Sequence, residues 1–150
     1  MTDRQVLLSG MAVTVFRLNG QFLDVAEELA RPAGLTAAHW QVLGAVIEAP
    51  LPVAGIARAM GITRQAVQRI ADILADNGMV EYRRNPAHRR AKLVAPTPQG
   101  VEAVKRIGPA HAVFADRLCE ALGDDRAADV DRLLRELSET LEALAAEDRG

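Results

Sequence analysis

The chain has 150 residues, a length at which about 68 to 70% of the unfolded surface can be buried in one core without metal or disulfide support. Hydrophobic residues at 49% and charged residues at 25% exclude intrinsic disorder, and aromatics at 3% favour a helical core built from Ala, Leu and Val. One cysteine excludes an internal disulfide framework and a cysteine-based zinc cluster; with no unbroken run of about 18 apolar residues and no leader pattern in the first ten residues, no membrane-crossing segment and a cytoplasmic location are expected.

The formal net charge of -2 hides an uneven distribution. Residues 58–92 hold eight basic side chains (Arg58, Arg64, Arg69, Arg83, Arg84, Arg89, Arg90 and Lys92) against Asp72, Asp76 and Glu81, a local charge of +5 in a chain whose remainder is -7. Phosphate neutralisation needs clustered cations rather than a high overall pI, so this block is a candidate nucleic-acid face. Arginine outnumbers lysine 16 to 2 throughout, so the clustering carries the inference and the abundance does not.

In chain order, residues 6–18 carry apolar side chains on more than one face of a helix predicted to run to about Ala30, which implies burial against a partner as well as against its own core. The Arg-Pro-Ala-Gly stretch at 31–34 breaks the chain. Thr36 is an N-cap for a second helix whose apolar positions Trp40, Leu43, Val46 and Ile47 keep helical spacing until Pro50. Around Ala57, large apolar residues then fall at Ile56, Met60, Ile62, Val67 and Ile70, with Gly61 between them. A small residue at the crossing, a glycine able to take left-handed backbone at the turn and flanking apolar locks define a helix-turn-helix rather than an ordinary helical hairpin. Thr63 caps its second helix, and Asn77-Gly78 stops it.

Residues 79–84 alternate, Asn85-Pro86 turns, and 91–95 form a second extended run: a β-hairpin wing with arginines at its tip. Thr97 and Pro98 open another helix, Gly108-Pro109 is expected to kink or interrupt it, and Gly123-Asp124 to close it and cap the last helix. There, Val130, Leu134, Leu137, Leu141 and Leu144 recur at spacings of four and three, a helix-helix seam. With the over-apolar first helix, that seam favours packing between two subunits over a purely internal face.

Residues 35–43, the helix-turn-helix at 53–70, the Asn-Gly-Met-Val run at 77–80, residues 85–94 and the Thr-Pro-Gln-Gly run at 97–100 resemble the multiple-antibiotic-resistance regulator (MarR) family. The resemblance spans about the whole chain, with its specific motifs between 35 and 100. It implies a mainly α fold: a winged helix-turn-helix at 35–100 between an N-terminal dimerisation helix at 1–34 and C-terminal dimerisation helices at 101–150. It also implies a homodimer on a pseudo-palindromic operator, commonly loosened by a small ligand or oxidant. Two positions depart from the family pattern. Wings there usually carry Asp, one residue, then Arg, the acid orienting the arginine for the minor groove; here the tip reads His88, Arg89, Arg90. Pro96 replaces the usual Leu and is expected to stiffen the turn.

Base reading falls to the polar residues at the exposed start of the second helix of the motif, Thr63, Arg64, Gln65, Gln68 and Arg69, since Arg pairs with guanine and Gln with adenine. His88, Arg89 and Arg90 suit the minor groove or phosphates; Arg83, Arg84 and Lys92 suit phosphates alone. Phe16, His39, Trp40 and His111 are the candidate lining of an effector pocket, against ordinary packing. Cys119 is expected to be a small apolar residue rather than an oxidation switch. The histidines lie on separate elements, and no phosphate loop or serine-nucleophile motif occurs, so an enzyme, a metal site and a cofactor are not expected. The function expected is a DNA-binding regulator, a repressor released by a small molecule. The alternatives are a constitutive or architectural DNA-binding module and, more remotely, the winged-helix part of a larger enzyme.

Overall fold

A computed structural model describes every residue from Met1 to Gly150. Six α-helices and a three-stranded sheet occur in the order α1 (Asp3–Ala30), a 3-10 turn (Arg31–Ala33), α2 (Ala37–Val46), β1 (Leu51–Pro52), α3 (Val53–Met60), α4 (Arg64–Asp76), β2 (Val80–Arg83), β3 (Leu93–Pro96), α5 (Pro98–Leu122) and α6 (Asp124–Arg149). The chain forms two compact units, 1–108 and 109–150.

The first unit holds the core. Val42, Leu43, Val46, Ile56, Val67, Ala71, Leu74, Val94, Ala103 and Ile107 are buried together, and no polar or charged residue is buried. Threonines set the helix starts: Thr36 accepts from the His39 N–H at 3.1 Å, Thr63 from the Ala66 N–H at 3.1 Å and Thr97 from the Gly100 N–H at 3.1 Å. Thr97 also donates to the Gly78 carbonyl at 2.6 Å, joining the end of α4 to the start of α5. Gly61 and Gly78 take left-handed backbone (φ 67° and 75°) at the motif turn and at the stop of α4. Glu27 of α1 reaches across to accept the Ala37 N–H at 2.7 Å, satisfying a free donor at the start of α2.

The sheet order is β1-β3-β2, both pairings antiparallel, with Leu51 opposite Val94 and Tyr82 opposite Val94 on the other side. β1 is an addition to the expected hairpin; two residues are too few to show an alternating pattern. Pro96 pairs with Val80 as the last residue of β3, directly before the turn into α5. Asp124 is the first residue of α6 and Gly123 (φ 90°) its cap, without a side-chain bond.

The helix expected to be kinked or interrupted at Gly108-Pro109 is not interrupted: α5 passes through Pro109. Proline removes one helical donor, a local loss in a helix of 25 residues. The boundary between the compact units nevertheless falls at this step.

α1 contributes only Ala30 to the buried set, leaving Val6, Leu7, Leu8, Met11, Val13, Phe16 and Phe22 exposed. With its following turn (Asp3–Ala33) it is long and apolar enough to cross a membrane by length and composition alone, its best window having mean hydropathy 1.3. An unbroken apolar run, the criterion applied to the sequence, overlooks this because Ser9, Thr14, Arg17 and Asn19 interrupt the run. In the second unit α6 buries nothing, and Val130, Leu134, Leu141 and Leu144 of its seam are exposed.

Candidate nucleic-acid interface

α4 places its apolar face inward through Val67, Ile70, Ala71 and Leu74, which leaves Thr63, Arg64, Gln65, Gln68 and Arg69 exposed. Beside it, β2 and β3 carry the wing, with His88, Arg89 and Arg90 exposed at the tip. The tip is shaped by Asn85, whose side chain accepts the Ala87 N–H at 3.0 Å and whose carbonyl accepts the His88 N–H at 3.3 Å.

Helix and wing meet around one open groove of about 630 Å³ lined by Arg64, Gln65 and Gln68 from α4, Tyr82 from β2 and Arg90 and Lys92 from the wing. The fold thus brings together residues separated by more than twenty positions in the chain. The cations of the groove, Arg64, Arg90 and Lys92, are not spent internally, and neither are Arg69, Arg84 and Arg89 outside it: none forms an ion pair within the chain. Arg83 differs. Its guanidinium lies 2.8 Å from Glu81 on the same strand, which offsets its charge.

Two of the expected base-reading residues are already engaged within the chain, Thr63 as its capping role implied and Gln68 in a way the sequence did not reveal. Thr63 Oγ1 is already an acceptor as the cap of α4. Gln68 Nε2 donates to Asp72 Oδ1 at 2.9 Å and to Tyr82 Oη at 3.0 Å, and the Tyr82 hydroxyl donates in a short contact to the same Asp72 oxygen. Desolvation, and next the hydrogen bond to Asp72, pushes the Tyr82 phenol up to about 12, so it remains a protonated donor at physiological pH. Asp72 and Tyr82 were not among the expected site residues. The spacing of Gln68 and Asp72, one helical turn, was a visible signal, but the approach of Tyr82 depends on the strand register.

The four candidate pocket residues fall in different settings. Phe16 is 73% exposed. His39 takes part in the capping box of α2, its Nδ1 accepting the Thr36 N–H at 3.5 Å. Trp40 is half-buried against the core, and His111 is an exposed residue of the second unit. Cys119 is half-buried and forms no disulfide.

A helix-turn-helix closed by a three-stranded wing defines a winged-helix protein. The MarR family description matches residues 33–91. An uncharacterized Mycobacterium tuberculosis protein, Rv2011c, is 36% identical over 115 residues, covering 77% of this chain and 80% of its own length. The chain belongs to the MarR family. Among solved structures, a variant of MarR from E. coli complexed with operator DNA is similar at a TM-score of 0.75 with 22% identity, covering 91% of this chain and 99% of that one. MosR of M. tuberculosis, in complex with DNA, is similar at 0.74 with 21% identity, covering 88% and 96%. At these identities the likeness establishes a shared fold.

Proposed function

We propose that the protein is a homodimeric transcription regulator, a repressor that binds a pseudo-palindromic operator and is released by a small-molecule effector. The observation that carries the DNA-binding reading is the groove in which unpaired Arg64, Arg90 and Lys92 surround the polar face of α4. α4 would enter the major groove with Arg64, Gln65, Gln68 and Arg69 towards base edges. Arg89 and Arg90 would reach the minor groove or its phosphates, and Arg84 and Lys92 the flanking phosphates. Arg83 would contribute less, because a phosphate would have to displace Glu81. That the similar E. coli and M. tuberculosis proteins form complexes with DNA supports the DNA-binding reading.

The dimer reading rests on exposed apolar surface. Leu7, Leu8, Phe16 and Phe22 on α1 and Leu133, Leu134, Leu141 and Leu144 on α6 are large apolar side chains left exposed along two helices, as on a surface that packs against a partner. A second copy covering both helices accounts for it without a membrane. Two reading heads would then meet successive major grooves about 34 to 36 Å apart. Phe16, His39, Trp40 and His111 remain the proposed effector contacts, on the chemistry of their aromatic and imidazole side chains.

The test is selection of bound sequences from a random DNA library by the full chain, with sedimentation to fix its oligomeric state. A palindromic site bound by a dimer, with affinity falling steeply as salt rises, is expected. A strictly monomeric protein at micromolar concentration, or binding indifferent to salt, overturns the proposal. Screening small molecules for release of labelled operator tests the effector: without a releasing compound, the constitutive module is the better reading.

A further inference from the structure

We propose that Glu27 is a positioning residue that sets which separation of two operator half-sites the regulator accepts, by bracing the joint between α1 and the helices that carry the reading head. The inference rests on α4 being the reading helix and on α1 forming part of the contact between two subunits.

Glu27 lies near the end of α1, and its Oε2 accepts the N–H of Ala37, the first residue of α2, at 2.7 Å in a part-buried bond across ten positions. Between the two groups the chain turns through Arg31–Ala33 and Gly34, whose left-handed backbone (φ 75°) redirects it. Backbone bonds close that turn upon itself: the Gly34 N–H donates to the Arg31 carbonyl at 2.9 Å and the Leu35 N–H to the Ala30 carbonyl at 3.2 Å. The Glu27 bond goes further and ties α2 itself to α1.

The position of α2 is passed on to α4. Val42, Leu43 and Val46 of α2 share one buried core with Val67, Ala71 and Leu74 of α4, and a close-packed core moves as a unit. At the other end of the joint, α1 leaves Leu7, Leu8, Met11 and Phe16 exposed on the surface assigned to the second copy. The direction of α2 relative to α1 therefore decides where each reading head stands relative to the subunit contact.

The lever is long. The 28 residues of α1 span about 42 Å, so a tilt of about 5° at the joint displaces the far end by about 4 Å. The rise of one base pair is about 3.4 Å. Two-fold symmetry repeats the displacement in the partner. A joint without its brace would accept neighbouring half-site separations that the braced joint rejects.

The experiment begins with random-library selection by the full chain, which supplies the half-sites and their natural spacer. Labelled duplexes with that spacer, and with spacers one base pair shorter and longer, are then titrated with the parent, Glu27→Ala and Glu27→Gln. Circular dichroism verifies folding and sedimentation the dimer. The parent should favour its own spacer, and Glu27→Ala should lower that preference by about fivefold, the equivalent of one hydrogen bond. Glu27→Gln keeps an acceptor oxygen at the same reach and should retain the parent profile. A merely structural role would weaken binding to all three duplexes alike.

If folded, dimeric Glu27→Ala keeps the parent's spacer preference, or loses affinity equally on every duplex, the assignment of Glu27 is overturned while DNA recognition stands. A glutamine variant as permissive as the alanine variant overturns the hydrogen bond as the brace. If the folded parent is a monomer or selects no palindromic site, the dimeric DNA-binding reading fails and this inference with it.

Discussion

Replacing Gly100 with alanine adds one methyl group where the structure has no room for it. A Cβ built on Gly100 would lie 2.0 Å from the Met79 carbonyl oxygen, 3.0 Å from its carbon and 3.2 Å from Leu43 Cδ1. The first two neighbours are backbone, and the Met79 oxygen is held as acceptor of the Thr97 N–H at 3.1 Å, so neither can rotate away. Against this, alanine gains up to about 1 kcal/mol over glycine in a helix interior. Overpacking ordinarily costs about 1 to 3 kcal/mol, and a backbone collision belongs at or above the upper end. The net expectation is a loss of about 2 kcal/mol or more, which for a chain of this size lowers Tm by about 4 to 8 °C. Trp40, the only tryptophan, is half-buried against the core and reports unfolding by fluorescence in urea without added labels. Gly20→Ala is the control, since nothing lies within 4 Å of the added atom, and it should be neutral or slightly stabilising. If Gly100→Ala matches that control, the close approach of α5 to the start of the wing is wrong.

Arg90→Ala should weaken operator binding and lower the salt slope by roughly one per subunit, the value of one lost phosphate contact; an unchanged slope removes the wing from the phosphate backbone. Because Tyr82 is the only tyrosine, ultraviolet titration reads its phenol directly. A midpoint of about 12 is expected in the native protein, against an ordinary phenol value of about 10, with Asp72→Ala moving it down. The raised value means that this proton's contribution to stability is complete below pH about 10 and is lost as pH climbs through about 12, so a native midpoint near 10 contradicts the cluster. Glu27→Ala strips the acceptor from the Ala37 N–H and should cost about 1 kcal/mol by urea denaturation; no loss would mean that water replaces it at no cost.

What could be read from the sequence was governed by local chemistry. Thr36, Thr63 and Thr97 are caps because a hydroxyl satisfies an amide two or three residues ahead. Gly61 and Gly78 mark turns because left-handed backbone burdens any side chain. The apolar faces of α3 and α4 are legible because helical periodicity is a property of the segment itself. The basic block could be located in the same way, though not which of its members were already neutralised.

Tertiary structure decided the remainder. β1 is a strand only because β3 lies alongside it, and Pro52 offers no donor of its own to advertise the pairing. Gly100 resembles any glycine in a first helical turn until the backbone of Met79 is set against it. Gln68 reads as a free glutamine until the pairing of β2 with β3 brings Tyr82 to its amide, fourteen residues away. Such contacts depend on the relative placement of two elements, and placement is set by the packing of the whole core, which no spacing within one segment encodes.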